Sequence, residues 1–351
     1  MANWTYMPIL KWKQGERIAL RALRKEQWLG LVPLIELQAV ESAPDAASLN
    51  AALPPYLVKL GKQLKEAVPE DHAFALDVRY VAPGFSKPGN LVDAICTRLK
   101  KLTDRQVIPV LNGVIFETGV EQVERLQSKY DDVILRLDVA NSAPSIVKPI
   151  VKLAKTALKG TRVHVVIDQF SLVGDEVKTA VARVKPYLDE ALASGGGSVT
   201  VAGGSFPMNL IGIKQGVHDI VRVEWKVWEQ LQKSSDYANL RFSDYAVTNP
   251  ALAPGLDPTQ MNPSVAIRYA AEGSWRLFKA GGFKKGAPNQ YQSLCTLLLG
   301  DSVYSGPKFS YGDKCYEAAA NAKLGNGNPS SWRRDATNHH LALTQDALSL
   351  A

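Results

Sequence analysis

Short runs in which polar and apolar residues alternate punctuate the chain, and longer stretches of helical periodicity separate them. The clearest run is Val133 to Asn141, VILRLDVAN. Side chains alternate along a strand, so Val133, Leu135, Leu137 and Val139 share one face, and Ile134, Arg136 and Asp138 share the other. The same grammar returns at 74–80 (FALDVRY), with Asp77 and Arg79 in step, and at 162–169, with His164 and Asp168 in step. Further strands are predicted at 7–13 (MPILKWK), 31–38 (LVPLIELQ), 107–112 (VIPVLN), 198–203 (SVTVAG) and 239–247 (NLRFSDYAV). Helical patterns fall between them, at 15–27, 46–67, 90–104, 117–130, 143–158, 174–193 and 216–232. Pro54-Pro55 is expected to split the second of these.

Eight strands in alternation with helices predict a parallel sheet, and the length suits a single closed (βα)8 barrel of the TIM type over residues 1–250. The alternative is an open doubly wound sheet. Its central strands would read as near-continuous apolar runs, whereas here the second face turns polar near the C-terminal ends of the strands. Residues 251–351 differ in character. They predict a hairpin over 265–281, short helices at 289–300 and 312–324, and a final helix through SWRRDATNHHLALTQDAL, an α+β elaboration packed on the barrel.

Composition adds bounds. With 351 residues, 46% of them hydrophobic and 21% charged, the chain has ample apolar mass for a large core. No apolar run reaches the roughly 18 residues of a membrane-spanning helix, and the N-terminus lacks the order of a signal peptide. Cys96, Cys295 and Cys315 form an odd, widely spaced set and read as reduced thiols of a cytoplasmic protein. The net charge of +7 is compatible with a nucleic-acid or other phosphate-rich partner, although Lys148, Lys152, Lys155 and Lys159 also fit a solvated helix face.

Active sites of this fold sit at the C-terminal ends of the strands. The polar residues expected there are Lys11, Lys13, Glu36, Asp77, Arg79, Asn112, Arg136, Asp138, Asp168, Ser205 and Asp244, the last with ambiguous parity. Lysines and arginines suit a phosphate or carboxylate. Glu36, Asp77, Asp138 and Asp168 suit acid–base work or a divalent metal. Such a pocket would take a phosphorylated or nucleic-acid-derived ligand. The competing reading is an internal salt-bridge network that closes the barrel mouth. Five of these residues, Asp77, Arg79, Arg136, Asp138 and Asp168, are predicted to converge on one rim. The GGSFPMN stretch at 203–209 suits either a phosphate loop or a plain turn. His339 and His340 are adjacent and so diverge on a helix, which excludes the i, i+4 metal pair of a metalloprotease. Walker A, G-x-G-x-x-G, G-x-S-x-G and H-E-x-x-H motifs are absent.

Four stretches in combination carry a resemblance: YMPILKWKQGERIAL, the R-x-E-W of Arg222 to Trp225, FSDYAV, and W-R-R-x-x-T-N-H-H. Together they resemble the bacterial and phage beta protein family over essentially the whole chain. The resemblance implies a gene carried by prophages and mobile elements, a role in phage–host conflict such as anti-phage defence, and a protein partner from the same element. It supplies no catalytic residues.

Overall fold

The computed structural model describes residues 4–40, 46–81, 88–112, 121–252, 262–284 and 286–350. Eight strands close into a parallel barrel: β1 (Tyr6–Leu10), β2 (Leu34–Glu36), β3 (Phe74–Asp77), β4 (Val107–Asn112), β5 (Asp132–Asp138), β6 (Arg162–Ser171), β7 (Val199–Gly204) and β9 (Arg241–Asp244). The ring closes where β9 pairs with both β7 and β1. Inward side chains such as Met7, Ile9, Leu34, Ala75, Val110, Ile134, Val166 and Ala202 fill the barrel as a packed core. The outward set, among them Leu10, Ile35, Leu76, Leu111, Leu135, Val165 and Phe242, packs beneath the helices.

The outer ring comprises α1 (Gln14–Arg21), α2 (Ala46–Ala67), α3 (Pro88–Thr103), α4 (Glu121–Glu124), α5 (Val147–Ala157), α6 (Val177–Ala193) and α7 (Val223–Gln232). Two expectations change here. Pro54-Pro55 does not split α2. Both prolines face solvent, where water can take the carbonyls they free, while Leu49, Leu57, Leu60 and Leu64 hold the opposite face on the barrel. The helix expected at 216–232 begins only at Val223, because Gly216–Val221 is a strand, β8. Part of the helix expected at 117–130 lies outside the described residues, and what is described of it is the short α4.

β8 joins a hairpin, β10 (Ser264–Ala271) and β11 (Ser274–Gly282), in an antiparallel sheet of order β10-β11-β8. Gly273, at φ +70°, provides the left-handed residue of the hairpin turn. The helices α8 (Gln290–Leu299) and α9 (Tyr311–Ala320) pack on this sheet. The chain then returns in α10 (Pro329–Leu350), which lies against α1 and β1 and contributes Leu341 and Leu348 to the outer core. α10 therefore takes the place of the barrel's eighth helix. Its seat depends on close approach: a Cβ on Gly312 would stand 2.2 Å from the Asp335 carbonyl oxygen, and one on Gly15 2.9 Å from that of Ser330. Among the described residues, no helix is long and apolar enough to cross a membrane.

Candidate functional site at the strand ends

Period-two alternation carries Glu36, Asp77, Arg136 and Asp168 into the barrel, each near the C-terminal end of its strand, and all four are buried. Arg136 stands at the centre. Its Nε and Nη2 donate to Asp168 Oδ2 at 3.0 and 2.6 Å. Its Nη1 donates to Glu36 Oε1 at 2.8 Å and to Asp77 Oδ2 at 2.9 Å. Nη2 also donates to the Tyr245 hydroxyl at 2.5 Å, and that hydroxyl donates onward to Asp168 Oδ2 at 2.6 Å. A guanidinium has five N–H groups, and these contacts engage all of them. Arg136 thus stands between three carboxylates. Among the described residues, no group of three or more His, Cys, Asp or Glu is arranged to hold a metal.

The electrostatics follow from burial and pairing. Burial pushes the Asp168 carboxyl up, but Arg136, the Tyr245 hydroxyl and the Phe170 N–H outweigh it and hold the group below its ordinary range. Glu36 goes the other way. Burial raises its carboxyl, the pull of Arg136 does not restore it, and its Oε2 has no hydrogen-bond partner among the described residues. Asp77 Oδ2 also accepts from Arg79 Nε at 2.7 Å, and Asp77 Oδ1 accepts the Arg79 backbone N–H at 3.0 Å. Arg79 is thereby held at the edge of the network with 15% of its side chain exposed. Its terminal nitrogens make no hydrogen bond among the described residues. Lys11 is buried beside these groups and donates to the Asn249 and Ala251 carbonyls at 2.7 and 2.5 Å. Burial lowers its ammonium to about 8 against the opposing pull of Glu36.

Of the five residues predicted to converge, Asp77, Arg79, Arg136 and Asp168 do, and Asp138 does not. Asp138 accepts the Ala140 N–H and the Asn141 side-chain amide, so it shapes the turn after β5. The same i to i+2 bond is made by Asp77, Asp168 and Asp244, to Arg79, Phe170 and Ala246. An aspartate at a strand's end is thus partly a turn-forming residue. Lys13 is also misplaced by parity. β1 stops at Leu10, Trp12 adopts φ +55°, and Lys13 emerges exposed at the start of α1. Asn112 ends β4 beside Arg136 in the register, and its Oδ1 has no hydrogen-bond partner among the described residues. Ser205 accepts the Val223 N–H and donates to the Val221 carbonyl, which ties β8 to α7.

Asp244 faces outward. The register Pro8↔Asp244 and Met7↔Ser243 places Ser243 and Tyr245 inside the barrel and Asp244 against α10. There it accepts from Tyr6 at 2.8 Å, pairs with His340 Nε2 at 2.7 Å, and meets Arg222 at 3.3 Å. Arg222 lies over the rings of Trp225 and Trp275, and Trp275 stacks on His340. His339 pairs with Asp313 at 2.8 Å and stacks on Tyr269 at 3.8 Å. Asn338 accepts the Gly312 N–H and donates to the Ala19 carbonyl. The R-x-E-W, FSDYAV and W-R-R-x-x-T-N-H-H stretches therefore meet in one place, where α10 and the antiparallel sheet are fastened to the barrel. Tyr245 is the network member that sequence reasoning missed. Its signal is its parity with Ser243, opposite Asp244.

No curated protein matches the chain. The family model described as Beta protein matches residues 6–344, almost the full span that these joined stretches hold together, and the chain belongs to the Beta protein family.

Proposed function

We propose that this barrel binds a phosphorylated or nucleic-acid-derived ligand at its C-terminal rim, in the setting of phage–host conflict, with Arg79 as the ligand-facing cation and the Arg136 network as its fixed floor. The supporting observation is the asymmetry between the two arginines. Arg136 has every N–H engaged, whereas Asp77 grips Arg79 through Nε, and the Arg79 side chain keeps 15% of its surface exposed. Lys11 adds positive charge beneath, and Glu36 offers a carboxyl that burial favours in its protonated, donor form. A cytoplasmic setting fits this reading.

The test is melting of the purified protein with inorganic pyrophosphate and a panel of nucleotides. A stabilisation in the wild type that Arg79→Gln loses, and that weakens with salt, is expected. A panel that leaves the wild type unmoved would reject the proposal. A second reading, a non-catalytic interaction module whose barrel mouth is locked by ion pairs, is favoured by the full engagement of the Arg136 donors. It is supported if Arg79→Gln leaves phage protection intact.

A further inference from the structure

At the opposite end of the barrel, the N-terminal ends of β1, β6, β7 and β9 border a cavity of 1320 Å³ lined by Trp4, Arg162, His164, Ser198, Lys233 and Arg241, among others. Two of these residues belong to an ordered relay. Ser198 Oγ lies 2.9 Å from His164 Nδ1, and His164 Nε2 lies 2.9 Å from Asp132 Oδ1. We propose that Ser198, His164 and Asp132 form a nucleophile, base and orienting carboxylate that cleave a carboxylic ester carrying an anionic group.

The hydrogen bonds of His164 fix its tautomer. His164 Nδ1 accepts the backbone N–H of Ser198 at 3.0 Å, so this nitrogen carries the lone pair, and the ring proton sits on Nε2, directed at Asp132. The Ser198 hydroxyl, 2.9 Å from the same nitrogen, shares that lone pair with the backbone N–H, so transfer of its proton to the ring displaces the backbone bond. Asp132 is buried and fixed from two further sides, by Arg162 Nη2 at 2.7 Å and by the Gln106 amide at 3.1 Å. The Trp4 ring packs against the imidazole with centroids 4.6 Å apart. Nucleophile to base and base to carboxylate both fall within the hydrogen-bond reach that such constellations need.

The glycine run before β7 explains how the serine gets there. Gly196 has φ +126°, and a Cβ on Gly197 would stand 2.6 Å from His164 Nδ1 and 2.8 Å from the Val163 carbonyl oxygen. Only glycine lets this turn close onto the histidine. The register Val165↔Val199 then sets His164 and Ser198 side by side on neighbouring strands.

The chemistry balances with water alone. Ser198 Oγ attacks the acyl carbon while its proton passes to His164 Nδ1, and Asp132 stabilises the imidazolium. The imidazolium gives the proton to the departing alkoxide, leaving an acyl-serine. Water, deprotonated by the same nitrogen, then hydrolyses the acyl-serine and restores the serine. Arg241 and Lys233 give the cavity wall the positive charge that suits an anionic substrate, while Arg162 is paired with Asp132. Burial holds the His164 imidazole below its ordinary value, which keeps it a free base near neutral pH.

The experiment labels the full chain with a fluorophosphonate probe and maps the adduct by mass spectrometry. Modification of Ser198 is expected, absent in Ser198→Ala and slowed about 10²–10⁴-fold in His164→Gln, with circular dichroism of both variants unchanged. Because the Ser198→Ala change is small, it keeps the test independent of the histidine variant's folding. Ser198 left unmodified in the wild type would overturn the proposal, as would modification at an equal rate in a folded His164→Gln protein.

Discussion

Two buried arginines of this chain meet carboxylates in different ways. Arg136, inside the barrel, makes five hydrogen bonds at 2.5 to 3.0 Å to groups on three other strands and the β9 exit. Arg222, outside it, reaches Asp244 at 3.3 Å and Glu224 at 3.5 Å, and its Nε has no hydrogen-bond partner among the described residues. It lies instead over two tryptophan rings. The inner site is built on paired strands whose spacing is fixed, so several carboxylates can be aimed at one guanidinium. The outer site joins β9, α7, β11 and α10, elements that are not hydrogen-bonded to one another as a sheet, and stacking tolerates the looser geometry. One arginine locks a shape, and the other fastens separate pieces together.

The largest effect should come from breaking the inner site. Arg136→Met leaves three carboxylates buried without their counter-charge, and we expect a loss of about 3–5 kcal/mol in unfolding free energy by denaturant titration. Arg222→Met keeps the apolar stem between the tryptophans and should cost about 1–3 kcal/mol. If the two variants lose equal stability, the contrast between lock and fastening fails. Within the inner site, Asp168→Asn should cost more than Glu36→Gln. Asp168 accepts two guanidinium bonds and the tyrosine hydroxyl, whereas Glu36 is already driven toward its neutral form by burial.

A smaller and pH-dependent effect is expected at the outer edge, on α10. Burial raises the Asp335 carboxyl from 3.8 to about 6 despite its bond from Arg334. A folded value above the unfolded one means that its stabilising contribution is full below about 4 and is lost as the pH rises through about 6. The difference in melting temperature between Asp335→Asn and the wild type should therefore shift in favour of the variant between about pH 4 and pH 7. Asp168 and Asp244 carry the opposite sign. Their folded values are depressed, so their contribution is present above the ordinary aspartate value and is lost as the pH falls through the folded one. A flat difference for Asp335→Asn would contradict the burial argument.

The inner site was largely legible in the chain because a period of two needs no partner: FALDVRY, VILRLD and VHVVID declare their inward residues by themselves. The misplacements occur where the strand stops. Lys13 follows a left-handed Trp12, and Asp138 turns back to cap its own loop, so parity no longer applies to either. Asp244 needed register, which only the pairing with β1 supplies. The outer site was hidden for another reason. Its parts come from β1, β9, the β8–α7 junction, β11 and α10, and no local pattern announces that a helix starting at Pro329 completes a ring opened at Tyr6. The strand β8 was within reach of pattern reading, since GVHDIV alternates and is rich in β-branched residues, but the strong helix after it drew the boundary too early.

The central claim is that Arg136 holds the barrel's shape while Arg79 faces the ligand, and it is tested most directly by measuring melting temperature and phage-plating efficiency on Arg79→Gln. The side chain is held by one carboxylate at the network's edge, so the account predicts a melting temperature close to that of the wild type together with a loss of protection. A variant that melts early, or one that protects as well as the wild type, would contradict it.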